Sequence, residues 1–288
     1  MEIIVTPTAE HLDLDAVRLD QHPRNDERDF PDGEVYVQLE TVDAIDEAFV
    51  VHAGQPQPNE GLASLYGVLA LLDEHDVPVT LCFTYTPYSM QDRSFYPGTL
   101  NYARTLLETV TGCFGVRHVH AVDPHFGHRD WVRTLPLSPL HAFPAMQERV
   151  EADVDEFVVV GPDLGTVERF GIPSFEKTRA SAYDVALAGE LDVAGSTVLV
   201  FDDLIETGST MVAAYERLTD QGAETVVAAA VHAVLDEGVR RVRECYDALY
   251  LTNTIANDAA TVPVEPLVQD AFEDATRRIA DGSDDRQP

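Results

Sequence analysis

Short runs of β-branched residues alternate with longer amphipathic stretches along the whole 288-residue chain. Candidate strands cover residues 2–6, 35–40, 48–54, 77–85, 116–122, 157–161, 196–203, 224–234 and 248–252. Candidate helices, recognised by apolar residues at helical spacing, cover residues 59–76, 98–112, 144–153, 180–190, 208–221 and 265–280. Because parallel strands need a long crossover connection that is usually a helix, this order predicts an α/β fold with parallel sheets.

The chain is about twice as long as a usual single domain, which predicts two domains with separate cores. Proline is concentrated at residues 134–145, where the alternating pattern is interrupted, and the domain junction is placed there. The predicted domains are residues 1–140 and 141–280, and residues 281–288 are expected to form a frayed tail.

The chain carries 19 Lys and Arg residues against 51 Asp and Glu residues, a formal net charge of −32. Phosphate backbones and anionic membranes would be repelled, and no basic patch reverses the field, so we expect neither nucleic acid nor membrane as a partner. No apolar run reaches the ~18 residues of a membrane span, and the N-terminus lacks a secretory signal, which predicts a cytoplasmic protein. The evenly spread acidic residues favour a salt-rich, halophilic cytosol, where screening shortens repulsion. Three widely spaced cysteines indicate neither a disulfide framework nor a zinc site.

One local motif points to chemistry, the segment VLVFDDLIETGSTMVAAYERL at residues 198–218. An apolar strand runs into Asp202 and Asp203, and then into a turn of small residues at 207–210 that opens a helix. Backbone N–H groups at such a helix start bind phosphate, and the hydroxyls add donors. The carboxylates suit two ribose hydroxyls or a magnesium ion, so the motif fits a sugar phosphate. An ordinary strand with a capped helix explains these residues equally well.

The sequence FDDLIETGST resembles the ribose-phosphate loop that type I phosphoribosyltransferases share with ribose-phosphate pyrophosphokinases. Seven further segments appear in the order in which the pyrophosphokinases carry their counterparts: FPDGEVYVQL (30–39), residues 55–75, TYTPYSMQDR (84–93), VDPHFG (122–127), VGPDLGTVERF (160–170), FEKTR (175–179) and TNTI (252–255). The resemblance therefore covers most of the chain and favours the pyrophosphokinase family. It implies two type I phosphoribosyltransferase-like domains, each a mainly parallel sheet flanked by helices.

The resemblance implies that the N-terminal domain binds ATP. It carries over seven contact residues on three segments: Phe30, Asp32, Glu34, Gln91, Asp92, Arg93 and His125. In the family, the segment at 30–34 holds the adenine and often reaches into a neighbouring subunit, which implies a homo-oligomer. Taken alone, FPDGE is equally well a polar turn, and a single histidine at the end of a strand is more often structural.

The resemblance also assigns the C-terminal domain to ribose 5-phosphate and to the reaction. The ribose 5-phosphate contacts carried over are Asp202, Asp203, Glu206, Thr207, Gly208, Ser209 and Thr210. The metal contacts are His125 and Asp163, for Mg²⁺ bound with ATP. Lys177 and Arg179 match the catalytic pair that lies on a mobile loop in the family, and Lys177 is the only lysine of the chain. An ammonium and a guanidinium suit the charge that develops during phosphoryl transfer.

The implied activity is transfer of the diphosphoryl group of Mg-ATP to the 1-hydroxyl of ribose 5-phosphate. Four departures from the family pattern stand against it. Met90 replaces an arginine expected on the ATP phosphates, Glu206 replaces an aspartate, Thr99 stands where a glutamate is expected, and the N-terminal region before residue 30 is short. Two alternatives remain open at this point. One is a non-catalytic paralogue that regulates an active partner, and the other is a simple phosphoribosyltransferase, which would leave the N-terminal segments unexplained.

Overall fold

A computed structural model describes residues 1–24, 27–163, 166, 176–179, 185–188 and 191–280, with the backbone alone at 176–179, 185–188 and 279–280. The predicted tail, residues 281–288, lies outside the described residues. The chain divides into two compact units. Unit 1 joins Met1–His141 to the C-terminal segment that begins at Val264, and unit 2 comprises Ala142–Pro263.

Unit 1 is built on a six-stranded sheet in which every pair of neighbouring strands is parallel. The sheet order is β2-β1-β3-β4-β5-β6. The strands are β1 (Glu2–Val5), β2 (Val17–Arg18), β3 (Ala48–Ala53), β4 (Val79–Tyr85), β5 (His118–Val122) and β6 (Leu137–Leu140). Helices α1 (Pro58–Glu74) and α2 (Tyr102–Gly112) are the crossovers that follow β3 and β4. Strands β3 and β4 are buried along their whole length, as expected for the centre of a parallel sheet.

Unit 2 contains a four-stranded parallel sheet and a separate two-stranded antiparallel pair. The larger sheet has the order β12-β11-β10-β7, and the small pair is β8-β9. The strands are β7 (Val158–Val160), β8 (Glu176–Arg179), β9 (Val185–Ala188), β10 (Thr197–Ile205), β11 (Thr225–Ala233) and β12 (Ala248–Leu251). The helices described are α3 (Phe143–Glu151), α4 (Ser209–Asp220) and α5 (Asp236–Cys245). The prediction of an α/β fold with mainly parallel sheets is confirmed.

The C-terminal helix α6 (Glu265–Ala280) departs from the predicted division of the chain, because it belongs to unit 1. Its apolar residues Val268, Ala271 and Ala275, with Val264 just before the helix, pack in one buried cluster with side chains of β1, β3 and β4. The sequence places this helix next to unit 2 along the chain, and only the packing reveals which sheet it covers. The junction itself, between residues 141 and 142, falls inside the proline-rich segment.

Two predicted elements are wrong in the described residues. The segment 35–40 is no strand, because the chain turns back there and the Tyr36 N–H donates to the Arg28 carbonyl at 2.7 Å. The helix predicted at 180–190 is contradicted at Val185–Ala188, which form strand β9 and pair with β8. The remaining residues of that predicted helix lie outside the described residues. Strands β2, β6 and β8 and helix α5 had no counterpart in the prediction.

Among the described residues, no helix is long and apolar enough to cross a membrane.

Candidate functional site

In unit 1, the loops that follow β4 and β5 are hydrogen-bonded to each other and carry four of the predicted ATP contacts. The His125 backbone N–H donates to Ser89 Oγ at 3.1 Å. Arg129 Nε donates to Asp92 Oδ2 at 2.6 Å and forms an ion pair with it. Because both loops follow the carboxyl ends of neighbouring parallel strands, they lie where ligands bind in open α/β sheets.

Asp92 has a structural position in this pair of loops. Its side chain is 2% exposed and its carboxylate is paired with Arg129. Its carbonyl oxygen accepts hydrogen bonds from Asn101 Nδ2 at 2.8 Å and from Trp131 Nε1 at 3.1 Å. The neighbouring Gln91 and Arg93 are exposed. Asp92 therefore anchors the loop that presents these two neighbours to solvent.

The other three predicted ATP contacts lie on a tight hairpin at residues 28–36. The Phe30 N–H donates to the Glu34 carbonyl at 2.7 Å, and Gly33, with φ of +87°, makes the turn. The Phe30 ring is 38% exposed and packs edge to face on Tyr36, with ring centroids 5.8 Å apart. Asp32 and Glu34 are exposed at the tip. The hairpin thus presents one aromatic ring and two carboxylates.

The end of β5 is constrained by a pair that the sequence did not reveal. Asp123 is buried and has a positive φ of +32°. His141 Nδ1 lies 3.0 Å from Asp123 Oδ1, and this hydrogen bond raises the pKa of His141 above its usual value. The pair ties the loop before His125 to His141, the last residue of the first segment of unit 1.

In unit 2, the paired aspartates lie inside the end of β10 and not after it. Asp202 and Asp203 are 8% and 1% exposed, and the Asp203 N–H donates to Asp202 Oδ1 at 2.9 Å. Two buried carboxylates at the carboxyl end of a central parallel strand are costly to desolvate, so they need partners. Thr166 Oγ1 lies 3.5 Å from Asp202 Oδ1 and supplies one of them.

The loop after β10 turns into helix α4 through Gly208, which has φ of +75° and is the N-cap residue of that helix. Thr207 Oγ1 and Ser209 Oγ lie 3.0 Å apart, so two of the three predicted phosphate-binding hydroxyls contact each other. The first helical turn begins at the same point, where N–H groups without an intrahelical partner and the helix dipole favour an anion, although the Ser209 N–H also donates to Thr207 Oγ1 at 3.5 Å. Thr210, the next residue, is half-buried, as is Glu206 before the loop.

Helix α5 packs directly on this loop, and sequence reasoning missed its contribution. A Cβ built at Gly238 would lie 1.9 Å from the Glu206 carbonyl oxygen, and one built at Gly208 would lie 2.7 Å from the Gly238 carbonyl oxygen. Arg241, one turn further along α5, donates from Nη1 to the Thr207 carbonyl at 3.1 Å and to Ser209 Oγ at 3.4 Å. Gly238, which follows strand β11 in the sequence, was the available signal that α5 approaches the loop backbone closely.

A buried polar network occupies the ends of β11 and β12, the two strands on one side of β10. His232 is at the end of β11, and its Nδ1 lies 2.9 Å from Thr254 Oγ1. Thr252 Oγ1 donates to the Val231 carbonyl at 2.6 Å and lies 3.1 Å from Thr254 Oγ1. The segment TNTI, matched on sequence, therefore ties the end of the edge strand β12 to β11, the strand that lies between it and β10.

Asp163 lies in the loop after β7 and is half-buried. Its carbonyl accepts from the Thr166 N–H at 3.1 Å, and the Thr166 side chain fills the space beside Gly161, where a Cβ would lie 2.4 Å away. Through Thr166 this loop reaches Asp202. The described residues contain no group of three or more metal-ligating side chains. A carboxylate that leaves most positions to water and substrate phosphates is the usual donor set for Mg²⁺, so Asp163 fits that ion. The imidazole of His125 is the poorer ligand for it.

Lys177 and Arg179 lie on strand β8, where Lys177 is opposite Leu187 and Arg179 is opposite Val185 of β9. Strand β9 lies beside helix α4, the helix that begins at the hydroxyl loop. The catalytic pair expected from the resemblance is thus on a two-stranded element next to that helix.

The fold and the loop after β10 define an α/β protein of the phosphoribosyltransferase-like class. The model of the phosphoribosyl transferase domain matches residues 166–269. The chain is 32% identical to the ribose-phosphate pyrophosphokinase of Methanopyrus kandleri, over 92% of this chain and 93% of that protein. It is 30% identical to the one from Pyrococcus furiosus, over 83% of this chain and 88% of that protein.

Among solved structures, the phosphoribosylpyrophosphate synthetase from Mycobacterium smegmatis has the same fold, with a TM-score of 0.75 over 95% of this chain and 100% of that one, at 24% identity. The chain belongs to the ribose-phosphate pyrophosphokinase family, as its motifs predicted, and is an enzyme of this type.

Proposed function

We propose that this enzyme transfers the β,γ-diphosphoryl group of ATP to the 1-hydroxyl of ribose 5-phosphate. The 1-oxygen attacks the β-phosphorus and forms the new P–O bond, while the bond from that phosphorus to the α,β-bridging oxygen breaks. AMP leaves with the bridging oxygen, the proton of the 1-hydroxyl is released to solvent, and 5-phosphoribosyl 1-diphosphate forms for nucleotide biosynthesis. The observation that carries the proposal is the buried aspartate pair that runs directly into the hydroxyl loop at the start of α4.

In this proposal, ribose 5-phosphate binds along the end of β10. Asp202 and Asp203 accept hydrogen bonds from the ribose hydroxyls, because a carboxylate is an acceptor only and a sugar hydroxyl can donate. The 5-phosphate binds the first N–H groups of α4 and the hydroxyls of Thr207, Ser209 and Thr210. The positive φ of Gly208 supports this role because it lets the chain turn into the helix without a side chain over the anion.

ATP is proposed to bind unit 1. Gln91, Arg93 and His125 would contact the nucleotide from the two joined loops, and the Phe30 ring with Asp32 and Glu34 would hold the base. Asp92 would act by holding its loop, since its carboxylate is already paired with Arg129. The guanidinium carbon of Arg93 lies 4.9 Å from the Phe95 ring centroid. Arg93, three positions after Met90 in the sequence, is proposed to supply the cation that Met90 lacks.

Mg²⁺ would be held by Asp163 together with phosphate oxygens, and when bound it neutralises charge on the transferring group. Lys177 and Arg179 are proposed to stabilise the charge on the equatorial oxygens in the transition state. An ammonium and a guanidinium do this in a water-excluded site without a proton transfer, so positioning and neutralisation supply most of the rate. No side chain is assigned as a general base.

The test measures AMP release from ATP and Mg²⁺, with and without ribose 5-phosphate, in molar KCl. We expect release only with the sugar phosphate, and a loss of about 10³-fold or more in Lys177→Ala. The matched control is Arg133→Ala, which removes one positive charge from a side chain that is 85% exposed. Absence of AMP release from the wild type at every salt concentration would refute the proposal.

Three further predictions from the sequence accompany this function. These are a cytoplasmic location, assembly into a homo-oligomer, and adaptation to high salt. All three stay predictions.

A further inference from the structure

We infer that Arg241 is a positioning residue for the phosphate end of the sugar-phosphate site, acting through Thr207 and Ser209. The inference deepens the proposed function and rests on it. Arg241 Nη1 lies 3.1 Å from the Thr207 carbonyl and 3.4 Å from Ser209 Oγ, so one guanidinium nitrogen contacts both sides of the loop turn. None of the sequence motifs includes this residue.

The hydroxyl chemistry of the loop explains what these contacts achieve. A serine or threonine hydroxyl has one hydrogen to donate and two lone pairs with which to accept. Ser209 Oγ and Thr207 Oγ1 lie 3.0 Å apart, so one of them donates to the other. Arg241 can only donate, and it contacts Ser209 on an acceptor position. Ser209 then has its own hydrogen available for an anion whenever Thr207 is the donor of the pair.

The position of Arg241 is set by the rigid contact between helix α5 and the loop. Gly238 and Arg241 are three residues apart and so lie on the same face of α5. That face touches the loop backbone, because a Cβ at Gly238 would lie 1.9 Å from the Glu206 carbonyl oxygen. The guanidinium is therefore carried by a helix that is already docked on the loop, which limits the conformational entropy it loses.

The local charge gives this position a second consequence. The segment that would bind a phosphate contains Asp202, Asp203 and Glu206, in a chain whose formal net charge is −32. A guanidinium hydrogen-bonded to the loop offsets part of that negative potential at the anion end of the site. Arg241 should thus matter for the affinity for the 5-phosphate more than for the rate of the chemical step.

The experiment compares Arg241→Met and Arg241→Lys with the matched control Arg240→Met in the full-length protein. Arg240 lies on the same helix, and its side chain is 66% exposed and paired with Glu244 at 3.3 Å. Losing hydrogen bonds from a charged donor predicts that Arg241→Met raises the KM for ribose 5-phosphate about 10- to 100-fold, with kcat changed less than about threefold. The KM for ATP stays as in wild type, and Arg241→Lys restores part of the affinity because it keeps the charge.

A double-variant cycle tests the route through Ser209. If Arg241 acts on that hydroxyl, the effects of Arg241→Met and Ser209→Ala on KM are less than additive. Equal KM values for Arg241→Met and Arg240→Met would overturn the inference, and so would a fall in kcat with KM unchanged.

A separate readout distinguishes failure of the inference from failure of the proposed function. Inorganic phosphate should raise the melting temperature of the wild type and of Arg240→Met, and raise it less in Arg241→Met. If the wild type forms no AMP, the proposed function fails, and this shift alone decides whether Arg241 supports an anion site. Equal shifts in the two variants would then reject its role.

Discussion

The contact between α5 and the hydroxyl loop predicts an inverted outcome for Gly238→Ala. Alanine normally stabilises a helix by about 0.5–1 kcal/mol relative to glycine. At Gly238 the new methyl group would lie 1.9 Å from the Glu206 carbonyl oxygen and 3.0 Å from the Gly208 nitrogen. The helix and the loop must separate by about 1.5 Å before ordinary van der Waals contact is reached. Overpacking of this kind costs about 1–3 kcal/mol, so we expect a net destabilisation of about 1–2 kcal/mol.

The same displacement should impair the substrate site. A misplacement of about 1 Å can cost a factor of about 100, so we expect kcat/KM for ribose 5-phosphate to fall about 100-fold. Urea denaturation gives the stability, and steady-state AMP release gives the activity. Gly112→Ala is the control, because Gly112 ends helix α2 and a Cβ there meets nothing within 4 Å. A Gly238→Ala protein that is as stable and as active as Gly112→Ala would refute the reasoning.

Three further predictions concern stability. Arg129→Met leaves the buried Asp92 carboxylate without its ion-pair partner and should cost about 2 kcal/mol in urea denaturation, with Asp92→Asn recovering part of it; an unchanged midpoint contradicts this. Burial lowers the pKa of His52 to about 3 and that of His120 to about 4, below the unfolded value of 6.5. The contribution of these two rings to the free energy of unfolding is therefore fully present above pH 6.5. The free energy of unfolding should fall by about 1.4 kcal/mol per pH unit for each ring as the pH drops toward those pKa values. In urea titrations between pH 6.5 and 5, His52→Gln should remove the part of this pH dependence that is due to His52. The net charge of −32 predicts a melting temperature that rises with KCl, and a protein indifferent to salt contradicts it.

Strands and helices that follow a strong periodic pattern could be predicted from the sequence. The buried strand β4 reads VTLCFTY, and no periodic alternative competes with it. The segment VYVQLE shows the limit of this reasoning, because its alternation is equally suited to a strand and to the return arm of the hairpin at 28–36. Hydrogen bonds from the Tyr36 and Phe30 N–H groups, within the hairpin, decide between them. Such contacts depend on a turn at Gly33 and not on periodicity.

Helix α6 shows why domain boundaries were harder to predict than elements. Its amphipathic pattern predicted the helix correctly, from Glu265 to Ala280. An apolar face indicates that a helix packs against other parts of the protein, but it does not indicate which sheet the helix covers. Val268 and Ala271 pack in the cluster that contains Phe49 of β3, so the chain returns to unit 1 after unit 2 is complete.

In the candidate site too, some residues could be predicted from a motif, whereas others became evident only from the packing. The segment FDDLIETGST identified the carboxylates and hydroxyls, because their chemistry is local to ten residues. Arg241 supports the same loop from 34 residues away in sequence, through a contact that exists only because Gly238 lets α5 approach the backbone. Asp92 is the converse case, a motif residue whose carboxylate turns to Arg129 and so holds the loop. A motif thus predicts which loops carry function, whereas the division between binding and supporting residues depends on pairs that are distant in sequence. Two variants test this distinction. Arg241→Met should change the KM for ribose 5-phosphate, and Arg129→Met should change the free energy of unfolding.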